Sequence, residues 1–218
     1  MRMKRALPAL LGLAAAALVP VIVKAPQAVP SLPQDVRTIE EAVTNCRASG
    51  LQGWELVDHA THLVNSKFTR YSCWHLWETP ERAFRNSRGF SDQYNTALAL
   101  VLVGLGFEVE IVHAARVRPS REPSDNPWWN AGKTWLRVSH DGRTLEVSAG
   151  DVRNQPGDVC FIPESEARLV NPWTLLDIRL AMTPLVTARI WQSWLRQEPV
   201  PRWIYSEFNH DSPRQEGR

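Results

Sequence analysis

Lysine is almost missing from this chain: four residues stand against 21 arginines, which reads as a bias of composition rather than a functional signal. Cysteine is sparse too. Cys46, Cys73 and Cys160 cannot pair without one left over, and no two share a C-x-x-C spacing. A structural zinc finger and a disulfide mini-scaffold are therefore excluded. Neither sign of charge dominates, and a formal net charge of +2 gives no electrostatic case for nucleic acid. With 44% hydrophobic and 22% charged residues the chain is too apolar for general disorder, and its 218 residues suit one domain plus appendages. No internal repeat is present. The residue in surplus is tryptophan: ten, more than the three tyrosines and six phenylalanines together.

The sequence opens on an apolar run, Ala6 to Val23, behind the basic residues Arg2, Lys4 and Arg5. A basic stretch before an apolar one is the layout of a membrane anchor or a secretory signal. At 18 residues the run is at the lower edge of what crosses a bilayer. Lys24-Ala25-Pro26 makes a poor cleavage site because proline would follow the cut, which favours an uncleaved anchor over a cleaved signal; a plain helix is the third reading. Positive-inside orientation would place the rest of the chain outside the cytoplasm. The expected division is 1–25 anchor or signal, 26–37 proline-rich tether, 38–205 folded domain and 206–218 polar tail.

Within the domain, Thr38 followed by Glu40 and Glu41 starts one helix, and Leu56, Ala60 and Leu63 recur at helical spacing in a second, near Trp54 to Ser66. Phe68 to Trp77 is aromatic and irregular. Thr79-Pro80 opens a short helix as N-cap and first helical residue. Tyr94 to Leu105 is a strongly apolar helix, stopped at Gly104 and Gly106. Phe107 to His113 reads as a strand. Lys133–His140 and Arg143–Ser148 form a hairpin at Asp141-Gly142. Residues 152–173 are mostly loop, and Leu175 to Leu195 is helical with a break at Pro184. The expected class is α+β: N-terminal helices, a central buried helix, an antiparallel sheet and a C-terminal helix.

The stretch Arg88-Gly89-Phe90-Ser91-Asp92-Gln93-Tyr94-Asn95, then the apolar helix, Gly106-Phe107, a strand, a loop and Gly132-Lys133-Thr134-Trp135 resembles the transglutaminase-like superfamily of cysteine enzymes, which includes arylamine N-acetyltransferases. The resemblance covers residues 70–150. It implies a nucleophile two residues after a glycine at the start of a buried helix, a His-x-Trp strand supplying the base, and an acid on a neighbouring strand. A thiolate at a helix N-terminus is stabilised by unpaired amides, which can also receive an oxyanion.

This sequence departs from that pattern at each chemical position. Ser91 stands where the resemblance implies cysteine, and Lys133 where it implies histidine, two residues before Trp135. Counting outward from the turn sets Glu146 opposite Arg137 and Ser148 opposite Trp135, so the acid is displaced as well. A serine–lysine pair needs a neutral lysine, brought far below its usual pKa of about 10.4. The simpler role for Ser91 is a helix N-cap.

The remaining candidates have simpler readings. Cys73 opens no helix and reads as a structural thiol despite nearby His75. His59 and His62, with Asp58, share a helix face, but no third ligand has metal spacing. Glu108 and Glu110 form a solvated strand face. Trp74, Trp77, His113, Trp128, Trp129, Trp135 and Ser148 are expected to line the cleft, with Trp128 and Trp129 the best-placed stacking surface. No cofactor and no metal are implied. The expected function is a catalytically degenerate binding module of the cell envelope for a peptide, acyl or envelope ligand. A weak serine acyltransferase or amide hydrolase using Ser91 and Lys133 is one alternative, and a purely structural envelope module is the other.

Overall fold

The computed structural model describes residues 3–27, 36–120 and 132–208. Six helices and nine short strands form a mixed α+β fold among the described residues. Helix α1 (Met3–Val23) precedes the domain. Helix α2 (Ile39–Ala48) begins on a capping box: the Thr38 hydroxyl accepts the Glu41 N–H at 3.2 Å, and the Glu41 carboxylate accepts the Thr38 N–H at 3.0 Å. Helix α3 (Gly53–Lys67) follows, then β1 (Arg70–Ser72). Helix α4 (Pro80–Arg85) starts as its sequence dictates, with the Thr79 hydroxyl accepting from Arg82 N at 3.3 Å and Pro80 at the first position.

Strand β2 (Arg88–Gly89) leads into α5 (Ser91–Gly104), three residues earlier than apolar spacing predicts, because the polar first turn Ser91-Asp92-Gln93 is buried. Ala97, Leu98, Val101 and Leu102 are fully buried, and α5 is the centre of the main core. Helices α2, α3 and α4 pack around it, while β3 (Glu108–Ala114) and β5 (Lys133–His140) close another side. Burying so many apolar side chains, at about 1.5–3 kcal/mol each, is the main force holding the helix in place.

The principal sheet has strand order β6-β5-β3-β8, where β6 is Arg143–Val147 and β8 is Arg168–Leu169. The β5–β6 hairpin turns at Asp141 and Gly142, both at positive φ (50° and 72°), the geometry that twist-matched two-residue turns require. It places Arg137 opposite Glu146 and His140 opposite Arg143, as expected from the sequence. Strand β3 runs antiparallel to β5, pairing His113 with Thr134 and Ala114 with Lys133. Side chains 134, 136 and 138 therefore face α5, and 133, 135 and 137 face the other way.

Two small sheets complete the fold. In one, β1 lies between β2 and β9 (Tyr205–Glu207); in the other, β4 (Val117–Pro119) pairs with β7 (Phe161–Pro163). Ser206 and Glu207 thus belong to a strand, and Phe208 packs on Phe68 and Tyr94, so the folded domain continues past 205. The expected loop 152–173 contains β7 and β8, whose partners are distant in sequence and leave no local signal.

Helix α6 (Pro172–Arg196) passes through Pro184 without the expected break. Proline removes the N–H that would meet Leu180 O, and the helix continues because Val186 and Ile190 beyond it are anchored in a second core. That core includes Val21 of α1, and two indoles bond to α1 carbonyls: Trp191 to Ala17 O and Trp74 to Val21 O, each at 2.9 Å. Among the described residues no helix is long and apolar enough to cross a membrane.

Candidate functional site

The N-terminus of α5 organises the site. Phe90, not Ser91, is the N-cap, and its N–H donates to the Gln93 side-chain oxygen Oε1 at 3.1 Å. Ser91 is already helical, so its hydroxyl is free to point elsewhere, and it accepts the Thr134 N–H across the gap to β5 at 3.4 Å. Gln93, fully buried, donates to His75 O at 2.9 Å and Glu78 O at 2.8 Å, fastening the preceding turn under the helix. Asn95, also fully buried, donates to Thr134 O at 2.6 Å and accepts Ala149 N at 3.0 Å. Position 134 is thereby fixed against α5.

A cavity of about 190 Å³ opens beside Ser91. Tyr71, Cys73, Phe90, His113 and Thr134 line it, and α6 contributes Ile178, Ala181 and Met182. The His113 ring Nδ1 is 3.1 Å from the Thr134 hydroxyl. Burial holds the His113 pKa below the ordinary histidine value. Burial pushes the Cys73 thiol up to about 11, against the opposing effect of its hydrogen bond to the Tyr71 hydroxyl at 3.5 Å. A thiol so protonated is a poor nucleophile. Asp92 and Arg179 form a 3.1 Å ion pair that ties α6 to the first turn of α5, and burial raises the Asp92 pKa despite the guanidinium.

The expected triad positions are not brought together. Thr134 takes the strand position that faces Ser91, while Lys133 points to the opposite sheet face, its ammonium 4.3 Å from the centre of the Phe161 ring. Burial brings the Lys133 pKa down to about 8, with Asp151 and Cys160 opposing. Glu146 is on that same far face, bonded to Arg137 at 3.1 Å and to the Trp135 indole. Trp135 packs edge-on against Phe161 at 5.2 Å. Ser148 is buried in the turn after β6, where its hydroxyl accepts Gly150 N at 3.3 Å.

Trp74 and Trp77 line a different cavity, of about 510 Å³, beside Pro26 and Arg88. Of the expected cleft residues, His113 reaches the Ser91 cavity; Trp128 and Trp129 lie outside the described residues. Glu108 and Glu110 are exposed, as an outward strand face should be. Among the described residues no three His, Cys, Asp or Glu side chains are grouped to hold a metal ion.

Thr134 and Asn95 are the residues that sequence reasoning missed. Thr134 differs from Lys133 by one position, hence by one sheet face. Asn95, a buried amide one turn into an apolar helix, had a signal: such a group must find a backbone partner.

A buried helix entering from a serine, followed by antiparallel strands that present position 134 to its first turn, follows the element order of the α+β layout expected from the sequence. Solved structures similar to this chain include a TGase at 11% identity, with a TM-score of 0.40 over 51% of this chain and 30% of that one. Another is a proposed cysteine protease from Cytophaga hutchinsonii, at 8% identity and a TM-score of 0.39 over 71% and 53%. A third is a proposed protease from Parabacteroides distasonis, at 16% identity and a TM-score of 0.36 over 62% and 26%. The chain thus spans about half or less of their lengths, and at this similarity no activity passes to it. No family model matches, and no curated protein matches.

Proposed function

We propose that this protein is a non-catalytic transglutaminase-like domain whose cleft binds a ligand rather than cleaving one. The observation that carries this reading is the contact of Ser91 with a backbone amide. Among the described residues its hydroxyl meets Thr134 N and no basic side chain, and Lys133 is on the other sheet face. A serine hydroxyl without a base within hydrogen-bond reach stays protonated and unreactive. The cavity volume of about 190 Å³ is below the range of about 300–1,000 Å³ for whole small-molecule sites. It suits one small apolar group of a peptide or acyl ligand, with Ser91 and His113 offered to its polar end. The basic residues before the apolar run 6–23 support placement at a membrane, with the domain outside the cytoplasm.

The test is turnover and labelling. Full-length protein is expected to show no amidase, acyltransferase or crosslinking activity that disappears in Ser91→Ala, and no labelling of Ser91 by a fluorophosphonate. Turnover lost in Ser91→Ala would overturn the reading. One observation favours a second reading, a weak serine hydrolase: His113 shares the cavity and is linked to Thr134, whose amide holds Ser91. That enzyme would lose Ser91 labelling in His113→Gln and keep it in Lys133→Met.

A further inference from the structure

A larger concavity, of about 650 Å³, shares no residue with the Ser91 cavity and lies between α3 and the β5–β6 hairpin. It is a shallow groove, open to solvent along its length. Trp54, Asp58, His59 and His62 of α3 form one wall, and Arg143 and Gln155 stand across from them. Leu145 and Pro156 add apolar surface to that far side.

Two observations mark this concavity as a candidate binding site. Asp58 Oδ1 and His59 Nε2 are shielded from solvent yet have no hydrogen-bond partner, two of the seven such side-chain atoms among the described residues. Among the described residues, His62 Nε2 stands 3.6 Å from that Asp58 oxygen, beyond hydrogen-bond length. Shielded polar atoms without partners are costly, and both belong to side chains that line the concavity. The wall is also held in shape. Trp54 meets His140 edge-on at 5.9 Å and 78°, and a side chain added at Gly53 (φ 56°) would crowd His140.

The composition selects the ligand class. Glu55 and Asp58 present negative charge and Arg143 positive charge around one aromatic side chain. An anion would face the carboxylates and a cation the guanidinium, whereas a neutral polyol can donate to the first and accept from the second. A flat apolar ring face against indole completes the match. We infer that this groove binds a neutral saccharide, its ring on Trp54 and its hydroxyls on Asp58, His59, Arg143 and Gln155.

The experiment titrates maltotriose, cellotriose and chitotriose into full-length protein in a sugar-free detergent, following tryptophan indole signals by 15N NMR. The Trp54 signal is assigned as the one lost in Trp54→Phe. At least one of the three probes is expected to shift it saturably, with a Kd of about 1 mM, and Asp58→Asn and Arg143→Ala are each expected to weaken binding by about 3- to 10-fold. Asp58→Asn keeps the side chain's size and Arg143 is exposed, and an unchanged spectrum of the remaining tryptophans confirms folding. No saturable Trp54 shift with any probe at about 20 mM would overturn the inference, as would a shift that both variants leave unaltered.

Discussion

Arg179→Met tests how α6 is held over the Ser91 cavity. The Asp92 side chain is 2% exposed and that of Arg179 19%, with 3.1 Å between them. Removing one partner of a buried pair costs about 3–5 kcal/mol, because the other charge is left uncompensated. The lower end applies here, since burial already outweighs the guanidinium at Asp92 and its other oxygen has no hydrogen bond. A loss of about 3 kcal/mol corresponds to roughly 6–12 °C in Tm for a chain of this size. The loss also depends on pH. With Arg179 gone, the folded-state pKa of Asp92 rises further above its unfolded value of 3.8. The folded variant then holds a proton that the unfolded chain releases, so its deficit is full at neutral pH and shrinks as pH falls through that raised value. Thermal and urea unfolding of wild type, Arg179→Met and Asp92→Asn/Arg179→Met at pH 7 and pH 5 measures this. The double variant is expected to recover most of the loss. A deficit below about 1 kcal/mol at pH 7, or one equal at both pH values, would refute the account.

Asn95→Ala removes the partner of both Thr134 O and Ala149 N and should cost about 2–4 kcal/mol in urea unfolding, with Asn95→Asp recovering little because a carboxylate cannot donate to Thr134 O. Lys133→Met should remove a pH slope: the Lys133 pKa is about 8 in the folded chain against 10.5 normally, so wild-type stability should rise relative to the variant between those values. A flat difference over that window would show Lys133 to be solvated. Cys46 and Cys73, both pushed up to about 11 by burial, should resist iodoacetamide at pH 7.5 in native protein and react after unfolding, as read by peptide mass spectrometry.

The elements legible in the sequence are those with local signals. Thr38 and Thr79 mark helix starts by side-chain caps, and the Asp141-Gly142 turn sets the hairpin register down to the Arg137–Glu146 pair. What was illegible is which face of β5 meets α5. A strand with one apolar face declares its parity, but here Thr134, Trp135 and Leu136 are consecutive and all buried, so both faces are covered. Trp135 is covered by Phe161 from β7, a strand paired with β4 and given no local signature. Without knowledge of β7, aligning on Trp135 selects Lys133, and the residue that touches Ser91 is one position away. The start of α5 was hidden for a similar reason: Ser91, Asp92 and Gln93 look like loop because they are polar, and each is buried against a specific partner.

Four of the ten tryptophans, Trp74, Trp77, Trp191 and Trp194, do structural work around α6. Trp77 donates to the Thr183 hydroxyl at 2.9 Å, beside the proline in that helix. Trp74 reaches Val21 O, one of the last carbonyls of α1, which lacks an intrahelical donor by its position near the helix end. Trp191 and Trp194 pack edge-on at 5.3 Å, and Lys24 lies 4.9 Å from the Trp194 ring. Helix α6 is thus gripped by α1 and its tryptophans through one set of contacts and by Asp92 through another, while Ile178, Ala181 and Met182 wall the Ser91 cavity between them. Any motion of α6 that enlarges the cavity must break the Asp92–Arg179 pair or loosen the α1 contacts. Trp74, Trp77, Trp191 and Trp194 therefore bear on the cleft indirectly, by fixing the helix that covers it, whereas Trp54 lines the separate groove between α3 and the hairpin.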